Sequence, residues 1–249
     1  MRYFLLIIVV LSSCNLDIDN EMPIIEKVTV NDITLPKGFT VSKLYEPTDY
    51  EQGSWVSFTK DDKGNFFASD QFGSIYKATL KKSGDKDSLH VKELNLNIGL
   101  AQGLLFHNNE LFALVNSYDE KIKSGLYKVI DSNKDGELDT VKTLKTVTGN
   151  GEHGPHNIVL APDGKSMYMV FGNHTDIPSD VRSRVPEVWG EDNLLPVIKD
   201  PSGHANSRKA PGGWVAQTDF EGLDWTLIAV GTRNTFDIAF NRDNELFGF

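Results

Sequence analysis

Two histidines three positions apart, His153 and His156, stand in the stretch GNGEHGPHNIVLAPDGKSMYMVFGNH, residues 149–174. An imidazole, with an unperturbed pKa of about 6.5, is the side chain best suited to taking or giving a proton near neutral pH. Downstream, Arg233 and Asn234 set a permanently charged, forked donor beside an amide. Such a pair suits the fixing of a planar anion. A third group, Asp131, Asn133, Asp135 and Asp139 with Gly136, puts side-chain oxygens at positions one, three, five and nine and glycine at six. That is the spacing of a calcium loop, to which Glu137 would add a backbone carbonyl from position seven. Position twelve is Lys142 where glutamate is usual, so a solvated acidic turn is the other reading. The bland alternatives for the first two groups are histidines that cap turns and an arginine that pins neighbouring strands.

The elements that must position these residues are short strands. His153 and His156 precede the apolar run Ile158-Val159-Leu160, a Pro162-Asp163-Gly164 turn and a second run from Ser166 to Phe171. This is a pair of strands joined by a tight turn. The pattern recurs at Trp55–Phe58 with Asn65–Ser69, at Gly103–Phe106 with Glu110–Asn116, and at Asp237–Phe240 with Glu245–Phe249. Outer strands follow at Gly73–Leu80 with Leu89–Leu94, Gly125–Ile130 with Thr140–Thr148, and Gly213–Asp219 with Trp225–Val230. Four short strands per repeat predict an all-β β-propeller with antiparallel blades, about three of them plus the start of a fourth. A preceding strand is expected at Phe39–Tyr45, and the histidine pair is expected at the mouth of the central channel. Residues 173–212 interrupt the third repeat as an ordered loop or lid carrying His174, Trp189, His204 and Arg208. Trp189 and Trp214 read as packing residues. Phe249 falls inside a strand, so the chain is expected to be an N-terminal fragment with an incomplete ring.

A formal charge of -10 argues against a nucleic-acid groove, which needs a basic stripe. The single cysteine, Cys14, excludes a disulfide framework within the chain, and the C-x-x-C-H haem motif is absent. Met1-Arg2 followed by an apolar run from Tyr3 to Leu11 reads as a signal peptide, too short for the roughly 20 residues that span a membrane. Leu11-Ser12-Ser13-Cys14 matches a lipobox. The expected organisation is a signal peptide over 1–13, lipidation at Cys14, a tether over 14–35 and a partial propeller over 36–249. The expected location is the cell envelope, held to the membrane by the lipid. Asn15 after the cysteine favours the outer membrane, on its periplasmic face or at the cell surface.

The segments GEHGPHNIVLAPDGKSMYMVFGNHT, WGEDNLLP, APGGWVAQTD, GTRNTFDIAFNRDNELF and ASDQFGSIYK resemble the glucose/sorbosone dehydrogenase family of six-bladed propellers, most closely its bacterial haem-binding, sorbosone-dehydrogenase-like branch. The resemblance covers most of residues 36–249. It implies oxidation of a sugar or related alcohol through pyrroloquinoline quinone held with calcium at the channel mouth. It also implies electron transfer to a haem domain or protein, the haem lying in a domain outside this chain. By the same resemblance His153 takes the hydroxyl proton, and Arg233 and Asn234 contact the cofactor; His156, beside His153, is read as a further cofactor-binding candidate. This chain departs from the family pattern at three places. Asn173 stands where a carboxylate orients the histidine, His156 where a small residue is usual, and Thr235 where a proline follows the arginine-asparagine pair. A fragment alone is expected to be inactive. The other reading is a cell-envelope propeller that binds a glycan or a protein partner without redox chemistry.

Overall fold

Alternating apolar residues, many of them β-branched or aromatic, build strands throughout the chain, and Asp, Asn and Gly close the turns between them. The computed structural model describes residues 27–30, 32–84, 86–188, 208 and 210–249. Cys14, Trp189 and His204 lie outside the described residues, as does the predicted signal peptide.

The chain divides into two units, residues 1–43 and 44–249. In the first, β1 (Lys27–Val30) and β2 (Ile33–Pro36) pair as an antiparallel hairpin. Asp32 takes the left-handed conformation its turn requires, at φ 64°. The stretch expected to be a tether therefore contains a hairpin. The strand expected at Phe39–Tyr45 does not form, because those residues have no ladder partner. Tyr45, at the start of the second unit, instead stacks on Tyr50 and Trp55.

In the second unit β3 (Trp55–Lys60), β4 (Asn65–Asp70), β5 (Ile75–Ser83) and β6 (Lys86–Glu93) form one sheet in sequence order. A second sheet repeats the order with β7 (Ala101–His107), β8 (Glu110–Val115), β9 (Gly125–Ile130) and β10 (Thr140–Thr146). The third has β11 (Pro155–Leu160), β12 (Met167–Phe171), β14 (Gly213–Thr218) and β15 (Thr226–Thr232). Its outer edge gains β13 (Arg182–Ser183), a two-residue strand from the insertion that runs parallel to β15. The hairpin β16 (Ile238–Phe240) and β17 (Leu246–Gly248) begins a fourth. The first strands β3, β7, β11 and β16 are neighbours in turn. This is the arrangement of propeller blades, and the fold is an all-β propeller of four-stranded antiparallel sheets.

Local chemistry explains the turns. Asp61 Oδ1 accepts the backbone N–H of Lys63 (2.9 Å) and of Asn65 (2.7 Å), so an aspartate closes the β3–β4 link. Between β7 and β8, Asn108 and Asn109 both have positive φ (52° and 62°), as a two-residue hairpin turn demands.

The core lies between blades and shows the two-residue period of a strand. Leu111, Ala113 and Val115 of β8 pack toward the first blade with Phe67, Ile75 and Val129. Phe112 and Leu114, the alternate positions, pack toward the third blade with Met167, Met169, Phe171 and Trp214. Burying each large apolar side chain contributes about 1.5–3 kcal/mol. Lys128 of β9 is 2% exposed, and its ammonium reaches Glu221 at 2.6 Å and Glu110 at 3.4 Å, tying the second blade to a loop of the third.

Candidate functional site

Each complete innermost strand slips by one residue near its start. The slips fall between Trp55 and Ser57, between Ala101 and Gly103, and between Pro155 and Asn157. Val56, Gln102 and His156 are therefore extra residues, and a bulge turns its extra side chain out of the ladder pattern. Phe236 holds the matching place ahead of β16. Its successor Asp237 accepts the N–H of Ile238 (2.7 Å), just as Asn157 accepts that of Ile158 (2.7 Å). Gln102, His156 and Phe236 line one cavity of about 250 Å³, together with Gln71, Phe72, Asn116, Tyr118, Gly151 and Glu152. Two of these extra residues, Gln102 and His156, thus share one cavity with Phe236 of the fourth repeat.

Within that cavity His156 is the imidazole, beside one carboxylate (Glu152) and one phenol (Tyr118). Its Nε2 donates to Asn234 Oδ1 at 2.6 Å, while Asn234 Nδ2 donates to the carbonyl of Glu152 at 3.2 Å. The second bond orients the amide, and the amide sets the imidazole tautomer, leaving the lone pair on Nδ1. Burial pushes the His156 pKa below the ordinary imidazole value. The bond to Asn234 opposes this shift, and nearby His153 adds to it. His156 is accordingly a neutral base at neutral pH, with Phe236 against its ring (centroids 4.9 Å apart).

The structure places His153 differently from the sequence expectation. It is fully buried (0% exposed) and is not among the residues that line the cavity. Its Nδ1 donates to Asn173 Oδ1 at 2.6 Å, and its ring lies against that of His174, with centroids 4.5 Å apart. A proton-transferring group must come within hydrogen-bond reach of its substrate. Of the two imidazoles, His156, itself only 4% exposed, is the one that lines the cavity, at the extra position of the bulge.

Asn173 links this pair to the next repeat, since its N–H donates to the carbonyl of Arg233 at 2.9 Å. Arg233 itself is exposed, on the segment that also supplies Asn234 and Phe236. Gly172 admits no side chain, because a Cβ there would meet Asn234 Oδ1 and the carbonyl of His153. Asn157 donates to the Asp237 carboxylate, joining β11 to the segment before β16. Arg208 reaches Asp176 (2.5 Å) and the carbonyl of His174 (3.1 Å), and Trp214 lies in the core with its indole N–H on the carbonyl of Thr175 (2.8 Å).

The acidic loop between β9 and β10 is held by its own N–H groups and, through Glu137, by the first blade. Asp131 accepts the N–H groups of Asp135 (3.1 Å) and Gly136 (2.7 Å), Asn133 accepts that of Asp135 (3.0 Å), and Asp139 accepts that of Ser132 (3.1 Å). The Glu137 carboxylate turns to Lys92 (3.1 Å) and Lys77 (3.3 Å) of the first blade, and these cations hold its pKa low. Among the described residues no three His, Cys, Asp or Glu side chains gather as a metal ion would need. The side-chain oxygens of Asp131, Asn133, Asp135 and Asp139, whose spacing suggested a calcium loop completed by the Glu137 backbone carbonyl, accept loop N–H groups, while the Glu137 carboxylate faces Lys92 and Lys77.

Sequence reading missed Gln71, Phe72, Gln102, Asn116, Tyr118, Glu152 and Phe236. One signal was available for two of them. Superposing the repeats on the residue before Ser57, Gly103, Asn157 and Asp237 brings Val56, Gln102, His156 and Phe236 into register. Asn116 carries no such mark, although its amide clasps Gly151 through two bonds of 2.8 Å.

No protein-family model matches the chain, and no curated protein does. Solved structures do resemble it. The holo pyranose dehydrogenase PQQ domain from Coprinopsis cinerea matches with a TM-score of 0.52 at 15% identity, over 91% of this chain and 48% of that one. The PQQ-bound aldose sugar dehydrogenase from Streptomyces coelicolor gives 0.49 at 15%, over 79% and 56%. A calcium structure of a Trichoderma reesei carbohydrate-active enzyme of family AA12 gives 0.46 at 15%, over 75% and 43%. The chain spans about half the length of these structures. The Coprinopsis likeness agrees with the blade order in defining the class: this is a β-propeller.

Proposed function

We propose that the axial cavity binds a neutral sugar in the manner of a sugar-dehydrogenase propeller, and that His156 receives the proton of the bound hydroxyl. The observation that carries this reading is the bulge that sets His156, neutral and of fixed tautomer, among amides and aromatic rings. Gln71 and Gln102 offer planar donors and acceptors to sugar hydroxyls, while Phe72, Tyr118 and Phe236 offer faces to sugar C–H groups. No Lys or Arg is among the residues lining the cavity, and Glu152 is, so the lining itself favours a neutral sugar, and the nearby cation, Arg233, lies outside it.

The donors beside the cavity suit an anionic quinone such as pyrroloquinoline quinone. Arg233 would hold its carboxylates and Asn234 would orient it, and the bound cofactor would accept hydride from the sugar carbon. Asn234 keeps His156 in one tautomer, and Nδ1 takes the hydroxyl proton as the C–H bond is broken. His153 is held by Asn173 beside the cavity residues, and its proximity adds to the lowering of the His156 pKa that burial begins. Anchoring in the cell envelope through lipid on Cys14, and passage of electrons to a haem domain or protein, belong to the same proposal. The first rests on the Leu11–Cys14 lipobox and the second on the family resemblance.

A second reading, glycan binding without redox chemistry, is favoured by one observation. The partner of His153 is the amide of Asn173, which stabilises an imidazolium far less than a carboxylate would. Calorimetric titration with glucose, and dye reduction with quinone and calcium added, test both readings. Where sugar-dependent reduction occurs, His156→Ala lowers it about 10²–10⁴-fold. An unchanged rate removes His156 from the mechanism, and sugar binding without reduction selects the second reading.

A further inference from the structure

Beside the axial cavity lies a groove of about 630 Å³, lined by Phe72, Leu96, Asn97, Ile98, Tyr118 and Asp119 among others. It runs between the first and second blades and shares Phe72 and Tyr118 with the cavity. Both rings are largely exposed, Phe72 at 71% and Tyr118 at 67%. They are thus aromatic faces presented to solvent at the junction of two depressions.

The backbone at the junction is also under strain. Leu100 lines the groove in the left-handed region, at φ 58°, where a γ-branched residue is rarely found. Two bonds hold it there: its N–H donates to the carbonyl of Gly73 (2.9 Å), and its own carbonyl accepts the N–H of Asn116 (3.0 Å). Strain of this kind collects at ligand-binding positions. Here it keeps Gln102 and Asn116 on the cavity side while Leu100 faces the groove.

Size and charge then define the occupant. A cavity of about 250 Å³ falls below the roughly 300–1,000 Å³ of typical ligand pockets, whereas the groove falls within that range. Neither lining includes a Lys or Arg, and each includes a carboxylate, Asp119 or Glu152. The groove also mixes apolar walls (Leu96, Ile98) with a hydrogen-bonding amide, Asn97.

We propose that the groove is a second sugar subsite, so that the molecule takes a neutral oligosaccharide. The terminal unit occupies the cavity at His156, and the next unit lies across Phe72 and Tyr118 into the groove. This rests on the reading of the cavity as a sugar site.

Calorimetry on the full chain with glucose, maltose, cellobiose and digalacturonate tests it. One of the neutral disaccharides should bind about tenfold tighter than glucose, and digalacturonate should bind more weakly than either. Asn97→Trp, at an exposed position that lines the groove alone, should abolish the disaccharide advantage and leave glucose affinity unchanged. Asn97→Ala should reduce the advantage in part, and a retained melting temperature shows that either variant is folded. Equal affinity for glucose and both disaccharides, or an advantage that survives Asn97→Trp, overturns the groove while sparing the cavity. Failure of every sugar to bind overturns the cavity reading, and the groove falls with it.

Discussion

The acidic loop at 131–139 and the mouth around His156 both attract notice in the sequence, and the folded chain treats them in opposite ways. In the loop, closely spaced polar groups satisfy one another: Asp131, Asn133 and Asp139 accept N–H groups from within the same nine residues. At the mouth, partners are remote. His156 bonds Asn234 across 78 positions, and Asn116 bonds Gly151 across 35. Dense local spacing is the arrangement most easily met by local hydrogen bonds. A site for an external molecule needs polar groups whose partners are fixed by distant segments, so that they stay aligned when the loop itself moves.

The contrast can be broken most severely at His156, where the expected 10²–10⁴-fold loss of turnover would have no counterpart for Asp135→Asn in the loop. Next in size is Gly172→Ala. Its methyl group would collide with Asn234 Oδ1 and the His153 carbonyl, so overpacking of about 1–3 kcal/mol is expected in urea unfolding, together with weaker sugar binding. Full stability in that variant would mean the mouth is looser than drawn.

Acidity should separate the regions further. Burial lowers the folded pKa of His156, so the unfolded chain binds the proton more readily. Stability from this group is therefore complete above about pH 6.5 and is lost as pH falls through the lower folded value. Asp139 is lowered by the backbone N–H of Ser132 and by hydroxyl bonds, so its contribution persists above about pH 3.9 and disappears only below it. Thermal melts across this range should show a first decline attributable to His156, absent in His156→Gln. The smallest effect is expected for Glu137→Gln, which removes ion pairs to Lys77 and Lys92. Such partly exposed pairs contribute about 0–1 kcal/mol, and sugar affinity should not change.

Much of the blade plan was legible because it rests on local pattern. Turn residues such as Asp61 and Gly164 and apolar runs such as Val129 and Met169 state where strands begin, end and bury. Phe39–Tyr45 misled because its alternation says nothing about whether a neighbouring strand exists. The hairpin at 27–36 was hidden by its polar, acidic surroundings. The bulges were illegible for a deeper reason. A register slip is a property of two strands together, and it decides that His156, and not His153, lines the cavity. Which of two imidazoles three residues apart lines the cavity could be read only from the pairing of β11 with β12.

The most direct test is calorimetric binding of a neutral disaccharide to the wild-type chain and to His156→Ala, at about pH 7.5 and about pH 5. The account predicts binding by the wild type at the higher pH, weaker binding at the lower, and little at either in the variant. Binding that ignores both the pH and the substitution would contradict it.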